Sequence, residues 1–334
     1  MTALFARPRP DADETAEPDP QLSTAGPIGE MLAEITAELR QIDAGDVARY
    51  IPQLASPDPA DLAVSLATVD GQRYSAGDSD TLLTIQSVSK PFVYALALAD
   101  CGIAEVLDRV GTEPTGDPFN SITVDDRTNR PYNPMVNAGA ILTASLVAGA
   151  TPADQFERIR GGLSDFAGRQ LGVDEQVFAS ERQTGDRNRA IAYLMRTVGA
   201  MRIEVEDALD VYFRQWAIEV TTTDLAMIAA TLANGGVNPE TGRRAMESDH
   251  VECVLTVMAT CGMYDYAGEW LFKVGLPAKS GVSGGIVAML NRPRFSSGLV
   301  VPAAAAAGGR CDGSSRLRAR RAGRVRSSRA GGSR

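Results

Sequence analysis

A serine and a lysine three residues apart are the side chains in this sequence best suited to nucleophilic chemistry. They stand in Ser87-Val88-Ser89-Lys90, where an apolar segment passes into a helical pattern. Residues three apart lie on one face of a helix, one turn from each other. A desolvated lysine amine can take the proton of a nearby serine hydroxyl. The spacing also fits a solvated helix face, so the prediction of Ser87 as nucleophile requires a second element.

That second element is the triplet Lys279-Ser280-Gly281, far downstream of the serine. We predict that a strand runs from Lys279 to residue 289. The small Gly281 would keep its edge open to a substrate, and the backbone N–H of Val282 could join that of Ser87 in stabilising an oxyanion. Ser-x-x-Lys followed by Lys-Ser/Thr-Gly resembles the motif pair of penicillin-binding proteins and serine β-lactamases.

The count of histidines and cysteines narrows the mechanism. The one histidine, His250, stands among charged residues, and we expect it to be exposed on a helix. A Ser-His-Asp triad is therefore not expected, and the base must be Lys90, a tyrosine or a carboxylate. No metal is expected either, because no Cys-x-x-Cys and no histidine cluster accompanies the four cysteines, which are Cys101, Cys253, Cys261 and Cys311.

The charge of the chain is distributed unevenly. Residues 302–334 contain nine Arg and one Asp, so residues 1–301 carry a net charge of −17. Such an acidic body disfavours nucleic acid and anionic membranes and suits a protein that acts on a small molecule. No apolar segment approaches the roughly 20 residues that span a bilayer, and residues 1–20 lack the features of a signal peptide. We expect a cytoplasmic protein with reduced cysteines.

The order of the patterns along the chain predicts its architecture. Residues 1–26, rich in Pro, Asp, Glu and Ala, are expected to be a disordered tail. An amphipathic helix follows, and then two strands joined at Asp70-Gly71, a strong hairpin signal. Helical periodicity prevails from residue 89 to about 258, and strands return near Lys279.

We therefore expect a catalytic domain over residues 27–301 of the α/β class, in its α+β form. A largely antiparallel sheet flanked by helices would make one lobe, about 27–88 and 262–301. A helical lobe, about 89–261, would be inserted between the first and last strands, with the site at the seam. Residues 302–334 would form a separate tail.

Several further segments carry a resemblance to one family. From about Gly45 to Met289 the chain resembles the serine-dependent glutaminases of the β-lactamase/transpeptidase-like fold. The resemblance rests on these segments: Tyr50-Ile51-Pro52-Gln53-Leu54, Gln86-Ser87-Val88-Ser89-Lys90-Pro91, Asn133 to Ile141, Ser180-Glu181, Asn188, Tyr212, Tyr264 to Gly268 and Lys279 to Gly285. It implies hydrolysis of L-glutamine to L-glutamate and ammonia without a cofactor, by a homodimer or homotetramer.

The resemblance also implies roles for individual residues. Ser87 would be the nucleophile, Lys90 its neighbour and Tyr264 a proton shuttle, with the oxyanion between the N–H groups of Ser87 and Val282. Glu181 would bind the α-ammonium group of the substrate. Four further polar side chains would complete the pocket: Tyr50, Asn137, Asn188 and Tyr212. From the residues alone, Asn137 could instead cap a helix and Tyr212 could be simple core.

The resemblance ends after Leu290. Where another strand and a closing helix are expected, the chain has a short Leu299-Val300-Val301 and then a tract of Ala, Arg, Gly and Ser. We interpret this end as a shifted reading frame, with a genuine basic tail as the alternative. A missing strand would leave the Lys279 strand at an exposed edge. Two functions stay open beside glutaminase: a penicillin-interactive acyl transferase of the same fold, and an inactive relative because of the altered end.

Overall fold

The computed structural model describes residues 22–23, 26–42, 46–290 and 297–300. Their helices are α1 (Gly26–Arg40), α2 (Pro52–Ala55), α3 (Lys90–Cys101), α4 (Ile103–Arg109), α5 (Asn137–Leu146), α6 (Pro152–Ala167), α7 (Glu175–Thr184), α8 (Asp186–Thr197), α9 (Val205–Trp216), α10 (Thr222–Ala233), α11 (Ser248–Cys261) and α12 (Ala267–Lys273). Their strands are β1 (Leu22–Ser23), β2 (Ala63–Thr68), β3 (Arg73–Gly77), β4 (Leu83–Thr84), β5 (Gly172–Val173), β6 (Ile218–Val220), β7 (Ala278–Ser280), β8 (Ile286–Leu290) and β9 (Ser297–Val300).

Six of these strands form the main sheet, in the order β1-β3-β2-β9-β8-β7. All neighbours are antiparallel except β1 and β3, which are parallel. The predicted hairpin is confirmed: β2 and β3 pair with Ala63 opposite Gly77, and the turn places Gly71 at φ 85°, where glycine carries no steric penalty. The predicted α+β class with a largely antiparallel sheet is likewise confirmed. A small second sheet has the order β4-β6-β5.

The end of the sheet differs from the prediction in two ways. The segment after Lys279 is two strands, β7 and β8, because Gly284 (φ 93°) and a hydrogen bond from the Gly281 N–H to the Gly285 carbonyl (2.8 Å) turn the chain between them. The expected exposed edge at this place is also wrong for β8. Strand β9 lies between β8 and β2 and pairs with both, so β7 is the edge strand here among the described residues.

Helices cover both faces of the sheet because successive residues of β2 point to opposite sides. Val64 packs with Leu32 and Leu39 of α1, whereas the Ser65 hydroxyl lies 2.8 Å from that of Thr222 on α10. Helix α10 begins at a capping box formed by Thr221 and Asp224, which satisfies N–H groups of its first turn.

The helices between β3 and β7 build most of the remaining core. Helix α3 is buried along most of its length and packs against α5, α11, α4 and α6, with the Phe92 ring against that of Phe166 at 5.2 Å. Within the described ranges, every helix is too short or too polar to cross a membrane. Strand β1 falls inside the segment predicted to be a disordered tail, while residues 1–21 and the tail 302–334 lie outside the described residues.

Candidate active site

An open cavity of about 350 Å³ lies where the main sheet meets the helices. Seven of the nine predicted site residues line it: Tyr50, Ser87, Asn137, Glu181, Asn188, Tyr264 and Val282. Lys90 and Tyr212 are fully buried and contact this group from behind the wall. His250 is partly buried in the first turn of α11 and is not among the lining residues.

Ser87 stands in a 3₁₀ turn, Gln86–Ser89, that leads directly into α3. The preceding residue, Gln86, has φ 47°, an uncommon value for a residue with a side chain. A buried network holds this conformation, since the Ser89 hydroxyl donates to the Gln86 carbonyl (2.6 Å) and Gln215 Nε2 donates to Ser89 Oγ (3.3 Å). The chain thereby presents Ser87, which is 8% exposed, at the cavity wall.

Lys90, the first residue of α3, is 1% exposed. Its amine donates to the Met135 carbonyl (3.0 Å) and to Asn137 Oδ1 (2.8 Å). Burial, and next the charge of Lys279, hold the pKa of the Lys90 amine well below its usual range. An amine that has lost its proton can act as a base at neutral pH.

Asn137 connects Lys90 to Asn188, another residue of the cavity wall. Its Oδ1 accepts from Lys90, and its Nδ2 donates to Asn188 Oδ1 at 2.9 Å. The alternative of a helix cap does not describe this side chain, because Asn137 is the first residue of α5 and Val136 occupies the cap position.

A buried carboxylate lies at another point of the cavity wall. Glu181 on α7 is 2% exposed, and its Oε1 accepts from the Tyr50 hydroxyl (2.7 Å) and from Gln86 Nε2 (3.3 Å). Burial raises the pKa of Glu181 to about 7, although both hydrogen bonds oppose that change. Burial and the Glu181 charge raise the pKa of the Tyr50 phenol in turn.

Two lysines lie near the ring of Tyr264. This residue begins a 3₁₀ helix, Tyr264–Tyr266, and has φ 56°. Lys279 Nζ is 3.7 Å from the ring centroid and Lys90 Nζ is 5.6 Å from it. Backbone strain at positions such as Gln86 and Tyr264 clusters at functional sites, where the surrounding structure maintains it.

Tyr212 combines two environments. Its ring packs on that of Trp216 at 4.5 Å, as core aromatics do, but its hydroxyl is buried without a hydrogen-bond partner among the described residues. Burial raises the pKa of this phenol, and the nearby Tyr264 and Glu181 raise it further. A purely structural role explains the ring and leaves the hydroxyl unexplained.

Val282 lies in the turn between β7 and β8, not in a strand. The neighbouring Gly281 lets this turn approach the Ser87 turn closely, since a Cβ there would lie 3.1 Å from Val88 Cγ2 and 3.3 Å from the Ile85 carbonyl oxygen. A larger residue would push apart the two segments that carry the predicted oxyanion donors.

Sequence reasoning missed part of the cavity wall. Gln86 and Ser280 belong to motifs that the sequence analysis recognised, but neither was assigned a role at the site. Phe119, Asn120 and Arg187 had no such signal, because they meet only in the fold, where Arg187 Nε donates to the Asn120 carbonyl (2.6 Å). Lys279 belonged to a recognised motif but was not assigned a role.

The fold and the cavity fit the predicted β-lactamase-like class, and comparison with known proteins gives the family. The family model for Glutaminase matches residues 45–310. A glutaminase from Trichormus variabilis is 51% identical over 264 residues, 79% of each chain. Glutaminase 1 of Bradyrhizobium diazoefficiens is 54% identical over 259 residues, 78% of this chain and 41% of that protein.

A solved structure extends the similarity to three dimensions. The crystal structure of Mglu in its glutamate form superposes with a TM-score of 0.81 at 40% identity, covering 85% of this chain and 65% of that one. The chain therefore belongs to the glutaminase family. Its members are hydrolases that act on the amide of glutamine.

Proposed function

We propose that this glutaminase hydrolyses L-glutamine through an acyl-enzyme formed on Ser87. The observation that carries the proposal is the Lys90 amine, which is buried one helical turn from Ser87 and has a lowered pKa. A neutral amine in this place can take the hydroxyl proton as Ser87 Oγ attacks the side-chain amide carbon of the substrate. The closeness of Lys90 to Asn137 and Met135 fixes the amine for this step.

The tetrahedral intermediate would place its oxyanion between the N–H groups of Ser87 and Val282. Its collapse breaks the carbon–nitrogen bond, and the leaving nitrogen takes a proton that Tyr264 relays from Lys90, so that ammonia departs. A γ-glutamyl ester on Ser87 remains. Water then attacks this ester while the same groups accept its proton, and L-glutamate is released with Ser87 restored.

Recognition of the amino acid would use the part of the cavity wall that carries Glu181. The buried Glu181 carboxylate suits the α-ammonium group, because a cation restores the charge balance that burial disturbs. Neutral donors would receive the α-carboxylate, and the buried hydroxyl of Tyr212 and the amide of Asn188 are suited to this role. Asn137 and Tyr50 complete the set. A similar structure in a glutamate form supports a ligand of this type.

The proposal needs no cofactor, and it places the enzyme in the cytoplasm as a homodimer or homotetramer. The cytoplasmic location rests on the composition of the chain, and the oligomeric state rests on the family resemblance alone. Light scattering of the purified chain tests the second: a mass of two or four chains supports it, and a single chain contradicts it.

Ammonia release from L-glutamine and, in parallel, L-asparagine tests the reaction. We expect turnover of glutamine by the natural chain and its loss in Ser87→Ala, by a factor of about 10³ or more. Ser56→Ala, which changes an exposed serine, is the matched control and should keep the full rate. Undiminished turnover by a folded Ser87→Ala protein would contradict the serine mechanism.

Two outcomes would favour the competing functions. Stable labelling of Ser87 by a fluorescent penicillin, without glutamine turnover, would favour the acyl transferase. A cooperative thermal melt without turnover of either amide would favour the inactive relative.

A further inference from the structure

The use of lysine in this chain is unusual. Of its 33 basic residues only three are lysines, Lys90, Lys273 and Lys279, and the other 30 are arginines. Two of the three are fully buried at the cavity, with Lys90 1% and Lys279 0% exposed. Arginine cannot lose its proton in a protein, whereas the charge of a buried lysine depends on its surroundings. Lysine is therefore kept at two buried positions where the charge state can matter.

Three contacts of the Lys279 amine favour its charged form, whereas its complete burial disfavours that form. Its amine donates to the carbonyl oxygens of Gly262 (2.9 Å) and Ser280 (2.7 Å). It also lies 3.7 Å from the centroid of the Tyr264 ring, well inside the range of a cation–π contact. Both carbonyls and the face of the ring present negative potential, and such potential stabilises an ammonium group even without water.

The surroundings of Lys90 differ in one respect. Its amine also has two oxygen acceptors, but it lies 5.6 Å from the centroid of the Tyr264 ring, against 3.7 Å for the Lys279 amine. The repulsion between the two amines acts on both of them. The titratable groups that face Lys90 are Lys279 and Tyr264. Helix α5 carries no charged residue, and every charged residue of the other helices packed on α3 is at least partly exposed, on α4, α6 and α11 alike.

We propose that Lys279 is a positioning residue: its permanent positive charge keeps the amine of Lys90 unprotonated, and its ammonium group holds the Tyr264 ring beside the nucleophile. Two like charges in one buried region repel, so the amine that lies farther from the face of the Tyr264 ring gives up its proton. The hydrogen bond from Lys279 to the Gly262 carbonyl also ties β7 to the start of the segment that carries Tyr264.

The catalytic part of this proposal rests on the proposed function of Lys90 as base. The assignment of a charged Lys279 beside an uncharged Lys90 does not rest on that function, and it can be measured without an activity assay. Incorporation of lysine labelled with ¹³C at the ε carbon gives three NMR signals, one for each lysine, whose shifts follow the protonation of each amine. The variant Lys273→Met identifies the signal of the exposed lysine, which pairs with Glu269 on the surface.

In the natural chain we expect the Lys90 signal to titrate at a lower pH than the Lys279 signal. Loss of the Lys279 proton at or below the pH at which Lys90 loses its own would overturn the proposal, and this comparison needs no variant of either residue.

A second test removes the positive charge of Lys279. In Lys279→Met we expect Lys90 to titrate at higher pH, and the acid side of the pH profile of kcat to move in the same direction. The rate at pH 7 should fall about tenfold to a hundredfold. Lys279→Arg retains the charge and should restore the position of the profile, while Lys273→Met should leave it unchanged.

An unchanged Lys90 titration in a folded Lys279→Met protein would overturn the proposal, because a merely structural role lowers the rate without moving the titration. Failure of the serine mechanism would give a different experimental result. It would appear as turnover by Ser87→Ala and would leave the NMR titrations as they are.

Discussion

At two parts of the same cavity, the wall around Glu181 and the wall around Lys90, the pKa of a buried group is shifted in opposite directions. At the Glu181 wall, burial raises the pKa of a carboxyl to about 7. At the Lys90 wall, burial together with Lys279 holds the pKa of an amine well below its usual range. Removal of water disfavours the charged form of both groups, so one physical cause moves an acid up and a base down.

The comparison teaches how one small site serves binding and catalysis. A carboxylate that is costly to bury gains most when a cationic group arrives, so Glu181 favours an ammonium ligand. An amine that is costly to protonate is available as a base before the substrate arrives. The two walls share Gln86, whose side chain donates to Glu181 and whose backbone carries the strain next to Ser87.

The largest effect is expected when the group at position 90 is made permanently charged. Lys90→Arg puts a cation that cannot lose its proton in the place of the base. We expect kcat to fall by about 10³-fold or more, as measured by ammonia release at saturating glutamine. Lys273→Arg makes the same change on the surface and should leave kcat as it is. A rate near that of the natural chain for a folded Lys90→Arg protein would refute the role of Lys90.

Glu181→Gln removes the charge from the other wall. Without the carboxylate the α-ammonium group loses its partner, and we expect kcat/KM to fall by about 10²-fold, mainly through KM. Steady-state kinetics at pH 8 measures the change. Glu175→Gln, at an exposed position in the first turn of the same helix, is the control. A loss confined to kcat would show that Glu181 acts in the chemistry and not in binding.

The same substitution should stabilise the fold. Because the folded chain binds the Glu181 proton more tightly than the unfolded chain does, stability decreases as the pH rises from the ordinary carboxyl range to about 7. Glu181→Gln escapes this loss, so its free energy of unfolding should exceed that of the natural chain by about 1–3 kcal/mol at pH 8. Urea titrations at pH 8 and pH 4 measure it, and equal differences at the two pH values would contradict the account.

Tyr50→Phe gives the smallest effect. Loss of the hydroxyl removes a hydrogen bond that lowers the pKa of Glu181, so this carboxyl should ionise at higher pH. We expect KM at pH 7 to rise about 3- to 10-fold, and the difference to shrink at pH 9. Tyr193→Phe removes a hydroxyl from an exposed ring and should not change KM. A KM difference that persists unchanged at pH 9 would show that Tyr50 contributes through its own contact with substrate and not through the ionisation of Glu181.

Much of the fold could be read from local patterns. The Asp70-Gly71 hairpin and the helix after Ser87 follow from turn chemistry and periodicity, which act over a few residues. The turn at Gly281 to Gly285 was missed because an apolar segment with glycines fits either one strand or two. Strand β9 was missed because the apolar run Leu299-Val300-Val301 is too short to show a period, and only the gap between β2 and β8 gives the strand a place. The reading-frame hypothesis for residues 302–334 concerns a segment outside the described residues and stays a prediction.

The candidate site likewise contains residues that local patterns predict and residues that only the fold brings together. Ser87, Lys90 and Glu181 stood in recognisable motifs, whereas Phe119 and Arg187 reach the cavity through long-range packing that leaves no local pattern. The role of Lys279 needed distances, because the sequence places it 189 positions from Lys90 and the fold places both amines near one ring.

The pH dependence of kcat/KM for glutamine, compared between the natural chain and Glu181→Gln, tests the central claim most directly. If burial sets the ionisation of Glu181, the ratio of the two values should rise with pH through about 7 and level off above it, since only the natural chain gains a carboxylate there. A ratio that stays constant from pH 5 to 9 would contradict the account.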